Sequence, residues 1–340
     1  MSNQKNSQQK YQKNWALLAW AIVIALLLSG CAGAQQPKVY RVGILSSNPS
    51  FAAIGDGFKA KMTELGYVEN QNIIYIVQNP ASDPADQQRL AKQLADEKVD
   101  LIFTFPMPES VAAHTVTQGT NVPVVFAYAQ LEGTNLVKSV GEPGGNMTGV
   151  RYPGPEMISK RLEILHDIAP NVKRVWISYD KNGPNIPVAL EALRLATSSL
   201  GITLVEVPIT TREEFGADLA ARAQAADLGL DAIMTMPDEF NTSSAGFAAL
   251  SKFAAEHKVP LAGGIAFMAK QGALFVNTTS LANVGGLAAS LADKILKGTP
   301  AGAIMVVTPE QTLIINYKVA QELGLTVPEG LLRQASEIIR

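Results

Sequence analysis

The 340-residue chain has a single cysteine, Cys31. No disulfide can form within it, and if Cys31 is the lipidation site read below, no thiolate is left over for a metal site or a nucleophile. Its three histidines, His114, His166 and His257, lie far apart in helical patterns with no metal-ligand spacing, so no metal is expected. Charge is also sparse. Acidic, basic and aromatic residues together make up under a quarter of the chain, and the formal charge is only −2. That argues against nucleic acid, which asks for a basic face. No apolar run reaches the roughly 20 residues of a membrane-spanning helix. The nucleophile elbow Gly-x-Ser-x-Gly is absent. Gly55-Asp-Gly57-Phe-Lys-Ala60 follows a dinucleotide fingerprint only loosely, because its first glycine falls well after the preceding strand and the next strand does not end in an acid. With no convergent nucleophile, base or metal set, the composition argues against an enzyme, and no cofactor is expected.

What is present begins at the N-terminus. Residues 1–14 carry Lys5, Lys10 and Lys13 and no acid, and Trp15 to Leu28 are uniformly apolar. This is the layout of a secretory signal, with a basic stretch and then an apolar run too short to span. The run ends in Leu28-Ser29-Gly30-Cys31, which resembles the lipobox of bacterial lipoprotein signals. Small residues fit the peptidase, and the thiol accepts a diacylglyceryl group, whose two acyl chains hold where one is marginal. Residues 1–30 therefore read as a lipoprotein signal peptide, Cys31 as the lipidation site, and 31–38 as a short tether. An ordinary signal peptide with an incidental cysteine, or a signal anchor, are the alternatives. The mature chain would sit outside the cytoplasm, in the periplasm or on the outer cell surface, touching the membrane only through its lipid. Losing three lysines and no acid takes its charge from −2 to −5.

From Val39 onward, near-continuous apolar runs alternate with helical patterns, which indicates parallel sheets covered on both faces. Arg41–Ser46, Asn72–Val77, Asp100–Thr104 and Val122–Ala127 read as strands, with a helix near Ala53–Leu65 and another starting at Pro84 behind an Asp83 cap. The order then repeats. Lys173-Arg-Val-Trp-Ile-Ser178 echoes Arg41-Val-Gly-Ile-Leu-Ser46, Leu230-Asp231 echoes Val99-Asp100, and Val259-Pro260 echoes Val122-Pro123. The expected fold is α/β: two Rossmann-like, doubly wound lobes with a hinge and a cleft between them. Gly141 to Gly149, with four glycines and a proline, stands at the seam and suits a crossover between lobes.

Ligands of open parallel sheets bind beyond the carboxyl ends of the strands. Those ends supply Ser46, Ser47, Asn48, Phe105, Met107 and Tyr128 from the first half, Asp180 and Asp238 from the second, and Tyr152 just past the seam. Hydroxyls and helix-start amides suit a carboxylate, an Asp can pair with an ammonium, and aromatic rings or Met can sandwich a planar body. Each has a plainer reading: Asp180 and Asp238 as helix caps, Phe105 and Met107 as core, Ser46 and Ser47 as turn residues.

Gly57-Phe-Lys59 with Glu64-Leu-Gly-Tyr67, Val122-Pro-Val-Val-Phe126, Leu136-Val-Lys-Ser139, Pro143-Gly-Gly-Asn-Met-Thr-Gly149, Lys294-Ile-Leu-Lys-Gly298 and Leu323-Gly-Leu325 together resemble the tryptophan/tyrosine-type substrate-binding proteins of ABC transporters, over roughly Val39 to Pro328. The resemblance implies a type I periplasmic-binding fold. Residues 39–148 and about 278–310 would form lobe 1, and 149–277 and about 311–340 lobe 2. It implies capture of a small organic solute, such as an aromatic amino acid, for permease and ATPase subunits that drive uptake. The same cleft could instead report a solute to a membrane receptor. The apolar Gly263-Gly-Ile-Ala-Phe-Met268 and the polar Asn277-Thr278-Thr279 depart from the family's pattern and leave room for a less charged or more apolar solute.

Overall fold

A computed structural model describes residues 38–340, apart from Ser82 and Pro184. Cys31 and the expected signal peptide, residues 1–30, lie outside the described residues. Within Tyr40–Arg340 the chain builds two sheets. The first runs β2-β1-β3-β4-β5, all parallel, from Tyr40–Leu45 (β1), Ile73–Gln78 (β2), Leu101–Thr104 (β3), Val124–Ala129 (β4) and Met147–Arg151 (β5). The second contains Arg174–Asp180 (β6), Thr203–Ile209 (β7), Ala232–Met234 (β8), Leu261–Gly263 (β9), Phe275–Thr279 (β10), Gln311–Asn316 (β11) and Ala335–Ile339 (β12), in the order β12-β11-β10-β9-β8-β6-β7. The stretch β7-β6-β8-β9-β10 repeats the order of the first sheet, so the duplicated sequence is a duplicated lobe. The extension is different in kind: β11 runs antiparallel to β10, and β12 is parallel to β11.

The helices follow from their caps and their apolar faces. The first, Ala52–Glu64 (α1), buries Ile54, Phe58 and Met62. Pro84–Asp96 (α2) starts at Asp83, whose side chain accepts the amide of Asp86. Met107–Thr117 (α3), Gly154–Ile168 (α4), Ile186–Leu200 (α5), Arg212–Gln224 (α6), Glu239–Thr242 (α7), Ser244–His257 (α8), Phe267–Lys270 (α9) and Leu281–Leu296 (α10) follow. α6 carries a full capping box between Thr211 and Glu214. One core packs α1 and α10 on the first sheet, through Phe58, Phe103, Val284 and Ala288. Another covers its opposite face with Leu90, Ala113 and Phe126. The second sheet has its own pair: one side takes Leu162, Leu165 and Leu193, the other Trp176, Phe247 and Leu250.

The repeat reaches into the polar contacts. Asp100, ahead of β3, accepts the amide of Arg41 at 2.8 Å. Asp231, ahead of β8, accepts the amide of Arg174 at the same distance. In both lobes the Arg side chain then pairs with an acid nearby, Glu97 or Asp227. The Arg174 guanidinium holds the Asp227 carboxyl down to about 2.

The glycine segment does not carry the chain out of the first lobe. Gly144 and Gly145 take left-handed φ values of 68° and 59° and turn the chain into β5, which pairs with β4 through Arg151. Gly149 sits within that strand, where a Cβ would fall 2.1 Å from the Phe126 carbonyl oxygen. The crossing comes later, after Arg151. There the returning segment lies alongside: Arg151 N donates to Val307 O and Val307 N to Gly149 O, each at 2.9 Å. The Arg151 side chain fastens this hinge. It donates to Glu132 at 2.7 Å, to Thr308 at 2.9 Å, and to Glu156 in the first turn of α4.

Candidate ligand-binding cleft

The carboxyl ends of both sheets supply the side chains between the lobes. On the first sheet, β1 runs into Ser46 and Ser47. The Ser47 amide donates to Glu109 Oε1 at 3.1 Å, and its hydroxyl donates to the same oxygen. Glu109 is fully buried in the first turn of α3, and its other oxygen has no partner among the described residues. Burial pushes its carboxyl above the usual glutamate value, partly offset by the Ser47 donors. Asn48 is exposed and caps the short turn Pro49–Phe51 by accepting the Ser50 amide at 2.9 Å. Phe105 is a core residue, 3% exposed, with its ring 5.0 Å from Phe103. Met107 is half-buried against the core on the opposite side of the sheet.

Tyr128, next to last in β4, sits at an irregularity in the pairing with β5 and takes a left-handed φ of 59°, rare for a residue with a side chain. Its ring lies 4.7 Å from Tyr152 and 5.5 Å from Phe51. Tyr152 is the first residue past β5, so this ring pair joins the first sheet to the crossover. Burial raises both phenols above their usual value, while the nearby Arg161 guanidinium pulls each the other way.

On the second sheet, Asp180 ends β6, and its carboxylate accepts the Asn182 amide at 2.9 Å. Asp238 caps α7. Its oxygens accept the Asn241 amide at 3.1 Å, the Asn241 side-chain amide at 2.9 and 3.1 Å, and the Asp180 amide at 3.3 Å. Burial raises its carboxyl, and the Asp180 charge adds to that. Asn241 in turn donates to the Ser178 carbonyl.

The structure thus brings together Tyr128 with Tyr152, Asp180 with Asp238, and Ser47 with Glu109. It sets Phe105 in the core and turns Asn48 outward. The sequence reading missed two residues, Glu109 and Arg161. Glu109 looks like an ordinary acid in a first helical turn. Arg161 did leave a signal. It falls with Ile158, Leu162 and Leu165 on one stripe of α4, at spacings of three, four and seven, where an apolar residue belongs. No grouping of His, Cys, Asp and Glu among the described residues could hold a metal ion. No described helix is long and apolar enough to cross a membrane.

Two doubly wound lobes joined by a hinge, with polar and aromatic side chains gathered at the facing strand ends, define the class of two-lobed solute-binding proteins. Residues 41–339 match the family described as ABC transporter substrate binding protein, and the chain belongs to that family. A relative called tyrosine-binding protein, from Clostridioides difficile strain R20291, is 25% identical over 333 residues, 93% of each chain. Among solved structures, the ABC domain from Streptococcus pneumonia in complex with L-Trp is 26% identical with a TM-score of 0.76, covering 89% of this chain and all of its own. The ligand-free, open form of a substrate-binding protein with adhesive properties from Clostridium difficile is also 26% identical, at a TM-score of 0.70 over 88% of this chain and 99% of its own.

Proposed function

We propose that this protein is the solute-binding component of an ABC importer, lipid-anchored through Cys31, and that it takes a small organic solute, an aromatic amino acid or one like it, into the cleft between its lobes. The observation that carries the reading is the Tyr128–Tyr152 pair, with rings 4.7 Å apart, formed where the first sheet meets the crossover. Rings there, beside buried polar side chains, suit a solute with a planar body and polar ends. Relatives named for tyrosine and solved with L-Trp support the same solute class. The partners are a permease and an ATPase, and the protein itself performs no chemistry. The tether keeps the binding protein beside the importer it supplies, outside the cytoplasm.

A ligand that favours the closed arrangement shifts the lobes toward it only through extra contacts made there. It also raises the melting temperature by mass action. A thermal-shift screen of aromatic amino acids, nucleobases and vitamin precursors is therefore expected to single out a small group of related solutes. A folded protein whose melting temperature none of them moves would contradict the reading. For the anchor, cells fed a labelled fatty acid are expected to label the wild-type chain and not Cys31→Ser; equal labelling would remove Cys31 from the account.

A further inference from the structure

Between the lobes lies a cation with no counter-charge among the described residues. Arg161 is 3% exposed. Its Nη1 donates to the Thr235 carbonyl at 3.0 Å and its Nη2 to the Asn277 carbonyl at 3.3 Å. Its Nε has no acceptor, and no carboxylate among the described residues pairs with it. The ionisable groups that act on it are the phenols of Tyr152 and Tyr128, both neutral at physiological pH. Two carbonyl oxygens hold the guanidinium in place but do not neutralise it. A buried, uncompensated charge is strongly unfavourable, and proteins keep such charges where a counter-ion joins them.

Two further observations point to an anion. The Thr235 hydroxyl, on the residue whose carbonyl Arg161 grips, is 1% exposed and has no partner. It is a second donor left over at the same strand end. Gly264, just past β9, leaves room for the guanidinium: a Cβ there would lie 2.8 Å from Nη2 and 3.1 Å from Cζ. Arg161 therefore rests on bare backbone with its Nε–H edge unused. A carboxylate, with two acceptor oxygens, matches one N–H edge and one hydroxyl; an amine or a neutral ring does not.

We propose that Arg161, seated on Gly264 and joined by the Thr235 hydroxyl, is the anchor for a carboxylate on the captured solute, so that the cleft selects acids over the corresponding amides and amines. This rests on the reading of the cleft as a solute site and sharpens it. It also goes against the less charged solute for which residues 263–268 and 277–279 left room.

The test is calorimetric titration of the full chain with L-tryptophan, L-tyrosine, L-tryptophanamide, tryptamine and tyramine. The acids are expected to bind roughly a hundredfold more tightly than their amide or amine partners. Arg161→Gln is expected to abolish that preference, and Arg161→Lys to keep part of it because the charge stays while the fork is lost. Should neither variant fold, Gly264→Ala supplies the second test. It keeps the charge but displaces the guanidinium, and it is expected to weaken the acids by tenfold or more relative to the amide. If the wild type binds amide and acid equally, the carboxylate anchor is overturned while solute capture stands. Failure of all five compounds to bind would overturn the solute reading, and the anchor with it.

Discussion

Gly285→Leu is expected to strip the returning helix from the first lobe and leave little folded protein. α10 packs on α1 with glycine on both sides. A Cβ at Gly285 would fall 2.0 Å from the Ile54 carbonyl oxygen and 2.6 Å from the Phe58 nitrogen, and one at Gly57 would fall 2.1 Å from the Ala282 carbonyl oxygen. The obstruction is backbone in each case, so no rotamer change relieves it. Even Gly285→Ala forces the helices apart. Overpacking of this kind costs about 1–3 kcal/mol or more, against about 1 kcal/mol gained from replacing glycine in a helix, so the net is destabilising. The neighbouring position gives the opposite sign. At Gly286 the nearest atom to an added Cβ is Lys61 Cβ at 3.8 Å, ordinary contact. Gly286→Ala is therefore expected to be neutral or to stabilise by up to about 1 kcal/mol. Urea-unfolding midpoints of the two alanine variants check this; equal effects would refute the helix contact described here.

Asp238→Ala is the second large effect. The substitution removes the acceptor of the Asn241 amide, most of the support of the Asn241 side chain, and the partner of the Asp180 amide. Loss of a cap and of buried charge-assisted hydrogen bonds amounts to about 2–3 kcal/mol. Asp238→Asn keeps one capping oxygen but loses the charge and turns the second acceptor, which takes the Asp180 amide and the Asn241 side chain, into a donor. The pH dependence of the wild type follows from the raised Asp238 carboxyl. Above the ordinary aspartate value of 3.8 the unfolded chain gives up this proton before the folded one does. The wild type therefore loses stability from this group as pH rises from about 3.8 through the folded value. The Asn variant should lack that decline. The same pair bears on the ligand. An amine-bearing solute that weakens in both variants assigns the Asp238 charge to the ligand, and unchanged affinity in both leaves Asp238 as scaffold only.

Most of the architecture was legible because it is local. The strand runs of both halves, the Asp83-Pro84 start and the offset repeat depend on nearby residues, and the Asp100 and Asp231 contacts show what the repeat preserves. The crossover was misplaced because glycine content marks where the backbone must bend or be approached closely, not which way it goes. Gly144 and Gly145 bend it, and Gly149 is approached by Phe126 within a strand. The antiparallel β11 was not legible, since pairing direction is a long-range property. The cleft was half legible. Strand ends name Tyr128, Tyr152 and Asp238, but which of their atoms are already engaged depends on neighbours such as Asn241. Arg161 comes from the middle of a helix, which a search of strand ends passes over, although its place on an apolar stripe betrays it.

The central claim is that the cleft of this family member captures an aromatic amino acid or a close relative. Its most direct test is a calorimetric titration of the purified protein with L-tyrosine and L-tryptophan. Saturable binding of one molecule per chain is expected for at least one of them, lost on replacing both Tyr128 and Tyr152 with alanine in a variant that still folds. Absence of heat and of saturation with either amino acid, or binding indifferent to the two tyrosines, would contradict it.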